Sequence, residues 1–234
     1  MDSPGADEIH IWQAQLDIPQ TEVSNLYESL SADERDRASR FYFEKHRRRF
    51  IVGRGTLRTI LGRYLGVQPD KIRFTYNDKG KPFLVEPKVS DFEFNLSHSD
   101  ELALYAFALG VPVGVDVEVI RPLSDMDAIA KRFFSPIEYE MLQRVSPANR
   151  PLGFFNCWTR KEAYIKAQGL GLSIPLDSFA VSLAPSEPAR FIELPTNSEY
   201  AGTWALHHLS PLLNAVGAVA FPSVDRRIVN CRLS

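Results

Sequence analysis

Strand-like and helical hydrophobic periods are mixed along this chain without regular strand–helix–strand alternation. That mixture constrains the fold most, because it favours an α+β arrangement over a doubly wound sheet. Ile9, Ile11 and Gln13 alternate with His10 and Trp12 as a short strand. Thr21 to Leu30 reads as a short helix. Ser31 and Glu34 make a capping box, each satisfying an orphan amide of a helix expected to run to about Phe43. Phe50, Leu57, Leu61, Tyr64 and Leu65 stripe one face of a helix from Glu44 to Leu65, which Gly66 ends. Asp78 to Pro82 is a turn; Phe92, Phe94 and Leu96 alternate as a strand, followed by strands from Leu102 to Leu109 and from Val113 to Ile120.

Gly110 and Pro112 punctuate the last of these turns. They suggest a boundary between an N-terminal half, 1–110, and a C-terminal half, 111–234. The second half opens with helices near Ser124 to Phe134 and from the cap Ser135-Pro136-Ile137-Glu138. A third helix spans Phe154 to Gln168 and stops at Gly169. Strand-like runs follow around 179–183, 190–194, 203–209, 215–221 and 228–233.

The chain's 234 residues suffice for one large domain or two small ones, and its net charge of -2 gives no global basic field for nucleic acid or an anionic membrane. Cys157 and Cys231 are far apart and form no metal-ligand spacing. With no disulfide framework, the reducing cytoplasm is the expected compartment. The N-terminus lacks the basic and apolar regions of a secretory signal, and every apolar stretch breaks well short of a membrane span.

Four local patterns carry possible chemistry. In Gly114-Val115-Asp116-Val117-Glu118 the strand period puts both carboxylates on one face, roughly 6.5–7 Å apart at the backbone. They repel unless water or a hard cation such as Mg²⁺ screens them; the plainer reading is a strand with one wet face. Glu162 and Lys166 are four apart on a helix, a spacing that also makes the commonest surface ion pair. Phe154, Trp158 and Ile165 form the buried stripe, so Glu162 falls at its edge, partly desolvated. Phe94-Asn95-Leu96-Ser97-His98-Ser99 ends a strand in groups able to hold phosphate oxygens, or simply closes a turn. A basic run, Lys45 to Arg49 with Arg54, Arg58 and Arg63, spreads around a helix, most of it expected in solvent; Lys79 and Lys81 flank Gly80 in a turn.

Taken in order, these patterns resemble the surfactin-type class of 4′-phosphopantetheinyl transferases. The likeness rests on Gly80-Lys81-Pro82, Phe94-Asn95-Leu96-Ser97-His98-Ser99, Gly114-Val115-Asp116-Val117-Glu118 and Trp158-Thr159-x-Lys161-Glu162-Ala163-x-x-Lys166, with a supporting basic segment from Arg40 to Arg49. It covers about residues 31–172, and the Phe-Tyr-Phe and Arg-Arg-Arg-Phe context is similar to cyanobacterial members. The resemblance implies two similar α+β halves with pseudo-twofold symmetry in one monomeric chain. Coenzyme A lies in the cleft between the halves, and Mg²⁺ on its pyrophosphate is held by Asp116, Glu118 and Glu162. It also implies phosphate contacts from Ser97 and His98, with Lys81 and Arg49 near the adenine nucleotide and its 3′-phosphate. Lys166 neutralises the pyrophosphate, Lys161 counts among the cofactor-binding residues, and Arg37 is a further phosphate contact. Several relatives carry lysine where Glu34 stands.

The implied reaction is attack of a serine hydroxyl of an apo acyl or peptidyl carrier protein on the phosphorus bearing pantetheine, with adenosine 3′,5′-bisphosphate leaving. Glu162 is the candidate proton acceptor, directly or through a water on the metal, and competes with its own role as a ligand. The rival expectations are a Mg²⁺-dependent phosphohydrolase on the same carboxylates, a nucleic-acid module built on Lys45 to Arg63, and a catalytically dead carrier-binding protein.

Overall fold

The computed structural model describes residues 3–89, 91–169, 173–194, 204–222 and 225–232. In chain order its elements are β1 (Glu8–Gln15), α1 (Gln20–Glu28), α2 (Ala32–Ser39), α3 (Glu44–Leu65), β2 (Arg73–Tyr76), β3 (Pro82–Glu86), β4 (Phe92–Ser99), β5 (Leu102–Leu109) and β6 (Gly114–Val119). There follow α4 (Met126–Phe133), α5 (Pro136–Arg144), α6 (Arg150–Gln168), β7 (Ala180–Val181), β8 (Phe191–Glu193), β9 (Trp204–Leu212), β10 (Ala215–Pro222) and β11 (Arg227–Cys231). The α+β expectation holds. Thr203 and Leu233, expected at strand ends, lie outside the described residues.

One sheet has the order β11-β1-β5-β4, another β6-β10-β9; β2–β3 and β7–β8 are small hairpins. All neighbours are antiparallel except β1 and β11. β11 thus returns from the far end of the chain to the N-terminal sheet, so the expected division at Gly110 separates the two sheets but not the last strand.

The sheets face each other across Ile9, Ile11, Leu102, Leu104, Val113, Val115 and Val117. α3 covers the outer face of the first through Ile51, Leu57 and Leu61 against Tyr105 and Phe107. α6 covers the second through Phe154, Ala163 and Ile165 against Val216, Ala218 and Ala220. The result is a helix–sheet–sheet–helix stack. It explains why β5 and β10 read as unbroken apolar runs: both faces of each strand are covered, so neither needs a polar side.

Helix ends follow local chemistry. Gly66 and Gly169 adopt the left-handed conformation that terminates α3 and α6, at φ 66° and 68°. α2 stops at Ser39, short of the expected Phe43, and α6 starts at Arg150, before the expected Phe154, because Pro151 suits a first helical turn.

Candidate active site

β6 and α6 touch so closely that a side chain at residue 114 has no room. A Cβ on Gly114 would sit 2.1 Å from the Ala163 carbonyl oxygen and 2.2 Å from the Ala167 nitrogen. With Gly114 bare, the last turns of α6 lie directly on β6. The strand period aims Asp116 the same way as Gly114, while Val115 and Val117 enter the core between the sheets.

At that contact Lys166 Nζ lies 2.6 Å from Asp116 Oδ1 and 2.8 Å from Ser97 Oγ, and Ser97 Oγ donates to Asp116 Oδ1 at 2.7 Å. Asp116 is buried, and among the described residues its Oδ2 has no hydrogen-bond partner. Ser99 Oγ donates to Glu118 Oε2 at 2.7 Å and accepts from the Val119 amide at 3.1 Å. Asn95 Oδ1 accepts from the Val115 amide at 3.0 Å. Alternate side chains of β4 therefore stitch that strand to β6, where the two sheets meet edge to edge. Ser97 is engaged in this seam rather than pointing alone at a phosphate.

Glu162 is half-buried one turn from Lys166. Burial pushes its carboxyl up from the ordinary value, Asp116 and Glu118 add to the rise, and Lys166 opposes it. Glu118 is also raised, by burial first and by Asp116, against the Ser99 hydrogen bond. The three carboxylates are thus close enough to feel one another. Among the described residues no three Asp, Glu, His or Cys side chains close into a metal cage.

A cleft of about 380 Å³ opens beside this contact. Of the expected residues it is lined by Arg37, Arg49, Lys81, His98, Glu162 and Lys166; Arg54 and Lys79 also line it, leaving six cations facing one carboxylate. The expected Lys79-Gly80-Lys81 turn is locked to α6. Asn77 donates from Nδ2 to the Gly169 carbonyl at 2.8 Å, and its Oδ1 accepts the Lys79 and Lys81 amides. Burial lowers the Lys81 pKa, with Glu93 opposing. Burial also lowers that of His98, helped by Lys166 and Arg49.

Two placements depart from expectation. Lys161 is not in the cleft: fully buried, its ammonium lies 2.8 Å from Glu138 Oε2 and donates to the Leu176 and Phe179 carbonyls at 2.6 Å each. One residue along a helix is a rotation of about 100°, so Lys161 and Glu162 face different surroundings. Arg49, Arg54 and Arg58 are not solvated but buried. Arg49 makes a two-point pair with Asp17 at 2.9 and 2.7 Å, with Asp100 at 3.3 Å and Glu101 at 3.6 Å beside it. Sequence reading missed this ring of carboxylates, the cleft position of Arg54 and Tyr76, and the seam roles of Asn95 and Ser99. Only the period-two run of Asn95, Ser97 and Ser99 hinted at the last.

Comparison with known proteins identifies the family. Residues 112–219 match the model of the 4′-phosphopantetheinyl transferase superfamily, and residues 14–109 match that of the 4′-phosphopantetheinyl transferase N-terminal region. The chain is 45% identical over 216 residues to the 4′-phosphopantetheinyl transferase HetI of Nostoc sp., spanning 92% of this chain and 88% of that one. It is 35% identical over 175 residues to the transferase Sfp of Bacillus subtilis, 74% of this chain and 76% of that one. A relative from Synechocystis is 34% identical over 163 residues, 70% of this chain and 65% of its own. The chain belongs to the 4′-phosphopantetheinyl transferase family. Within it, the likeness to Sfp and to cyanobacterial members expected from the motifs is borne out.

Proposed function

We propose that this chain transfers the 4′-phosphopantetheine arm of coenzyme A to a serine of an apo acyl or peptidyl carrier protein, using Mg²⁺. The observation that carries this reading is the cleft itself, lined by six cationic side chains and one carboxylate, with Lys166 tying its wall to the buried Asp116. Such a lining suits a small, heavily anionic substrate such as coenzyme A, whose pyrophosphate and 3′-phosphate must be desolvated together.

The residues at the β6–α6 contact fit Mg²⁺. Asp116 has a buried oxygen with no partner among the described residues, and the Glu118 and Glu162 carboxyls are raised by burial first and by the charge of Asp116, a state that a cation relieves. Mg²⁺ keeps waters and substrate phosphates among its ligands, so an open set of carboxylates suits it better than a closed cage. When bound there it supplies positive charge to the pyrophosphate oxygens.

The chain's own groups account for the remaining steps. Lys166, held by Asp116 and Ser97, presents its ammonium to the negative charge that grows on the leaving phosphate as the P–O bond to adenosine bisphosphate breaks. Glu162, on the cleft wall one helical turn from Lys166, takes the proton from the serine hydroxyl as the new P–O bond forms. His98 and Lys81 line the cleft for the nucleotide. The seam between β4 and β6 holds Ser97 and Asp116 in register, so the reacting groups need little reorganisation.

Intact-mass analysis of an apo carrier protein incubated with this chain, coenzyme A and Mg²⁺ tests the reading. Transfer adds about 340 Da, the transferred arm on serine. An unchanged carrier mass with free coenzyme A cleaved identifies a hydrolase instead.

A further inference from the structure

Beneath the cleft lies a buried ion triad whose charges do not balance. Glu34, only 1% exposed, faces two guanidiniums: Arg58 Nε at 2.6 Å from Oε2 and Arg54 Nε at 3.3 Å from Oε1. Arg58 is fully buried and donates through Nη1 to the carbonyls of Pro69 and Ile72. One carboxylate thus serves two cations, and one positive charge is left over in a desolvated place. Asp33, the next acid, is exposed and screened by solvent. A buried charge without its counterpart is costly, so the site gains from any anion that reaches it.

Arg54 is the member of the triad that lines the cleft. Glu34 Oε1 lies 3.3 Å from its Nε as an ion pair without a hydrogen bond, the Tyr76 hydroxyl accepts from its Nη2, and its guanidinium sits over the rings of Phe74 and Tyr76, 5.4 Å from each centroid. Among the described residues, Nη1 has no hydrogen-bond partner. This is an oriented donor awaiting an acceptor. Arg49, the arginine expected near the 3′-phosphate from the motifs, is already surrounded by Asp17, Asp100 and Glu101.

We propose that Arg54, positioned by Glu34 and Tyr76, is the specificity-determining contact for the 3′-phosphate of the substrate. The inference rests on the coenzyme A reading of the cleft. Coenzyme A carries two anionic groups separated by a ribose. Lys166 and the carboxylates, on β6 and α6, take the pyrophosphate. Arg54 and Tyr76, on α3 and β2, belong to the other half of the molecule and meet the phosphomonoester. The charge count adds a second expectation: removing Arg54 leaves Glu34 and Arg58 matched one to one, so the unliganded protein keeps its stability.

Calorimetric titration with adenosine 3′,5′-bisphosphate and with adenosine 5′-monophosphate, alongside thermal melts, tests this in wild type, Arg54→Met and Tyr76→Phe. Wild type binds the bisphosphate more tightly than the monophosphate. Arg54→Met loses about tenfold in affinity for the bisphosphate, the worth of a charge-assisted contact. Its affinity for the monophosphate stays within about twofold, and its unliganded melting temperature does not fall. Tyr76→Phe, which keeps every charge, shows a smaller loss confined to the bisphosphate; it decides the matter if Arg54→Met does not fold. Retained preference in both variants, or equal loss for both nucleotides, overturns the inference. Wild type that binds neither nucleotide overturns the coenzyme A reading itself, and the inference with it.

Discussion

Lys166 and Asp116, 50 residues apart in the chain, meet with the ammonium 2.6 Å from the carboxylate oxygen, and Ser97 bonds to both. The pair joins the last turns of α6 to the middle of β6. On this account the ammonium matters most when charge builds on the leaving phosphate. Lys166→Ala therefore lowers kcat more than it weakens coenzyme A binding. Steady-state kinetics together with a binding titration separate the two, and a loss confined to affinity contradicts the role.

Gly114 is the positional counterpart of that pair. A methyl group there meets the backbone of Ala163 and Ala167 at impossible distances, so α6 must move off β6. Gly114→Ala is expected to cost about 1–3 kcal/mol in stability, as overpacking does, and to cut transfer more than that loss explains. Denaturant unfolding and turnover measured on the same preparation check this; full activity in a stable variant shows that the close approach is dispensable.

Lys161 and Lys166 lie on one helix and each neutralises a buried carboxylate, yet their truncations should differ in cost. Lys161→Met leaves Glu138 buried without its cation and costs about 3–5 kcal/mol. Glu138 keeps its hydrogen bonds from the Ser135 and Val181 amides, which favours the lower end. Truncating Lys166 also strips a buried carboxylate, Asp116, of its cation. But Lys166 is 28% exposed beside the open cleft and Asp116 keeps the Ser97 hydrogen bond, so the cost is expected to be smaller. Urea midpoints for the two variants test the contrast, which fails if Lys161→Met unfolds like wild type.

If coenzyme A occupies the cleft as proposed, His98 makes nucleotide binding depend on pH. Burial, Lys166 and Arg49 hold its pKa below the ordinary value of 6.5, so the free ring is neutral at pH 7. An arriving phosphate raises that pKa again, and binding takes up a proton. Affinity for adenosine 3′,5′-bisphosphate therefore climbs as pH falls from the bound-state pKa toward the lowered free-state value, and levels off below it. In His98→Gln this portion of the slope disappears. A titration series in which wild type and variant share one pH profile removes His98 from the site.

Much of the candidate site's placement was legible because short periods encode it. Alternation in Gly114 to Glu118 put Asp116 and Glu118 on one face, and the helix stop at Gly169 fixed where α6 ends. The bounds of α3 and β5 followed from their apolar patterns. What stayed hidden depended on partners distant in sequence. Nothing local distinguishes Lys161, buried against Glu138, from the cleft-facing Lys166 five residues on. Nothing local shows that Arg49 finds Asp17, that Arg54 and Arg58 share Glu34, or that β11 closes the first sheet beside β1. The capping box at Glu34 was readable and is present, yet the same carboxylate also anchors two arginines from α3. Local chemistry gave one function of that side chain, and tertiary contact supplied the other.

Asp116, Glu118 and Glu162 are proposed to act as one centre. Transfer rates for the three single alanine variants and the Asp116→Ala/Glu162→Ala double variant, followed as carrier-protein mass gain, test it most directly. Each single change should slow transfer by about two orders of magnitude or more, and the double variant should be little slower than the worse single one, as for residues that act as a unit. A wild-type rate in any single variant, or losses that multiply independently in the double, would contradict a shared centre.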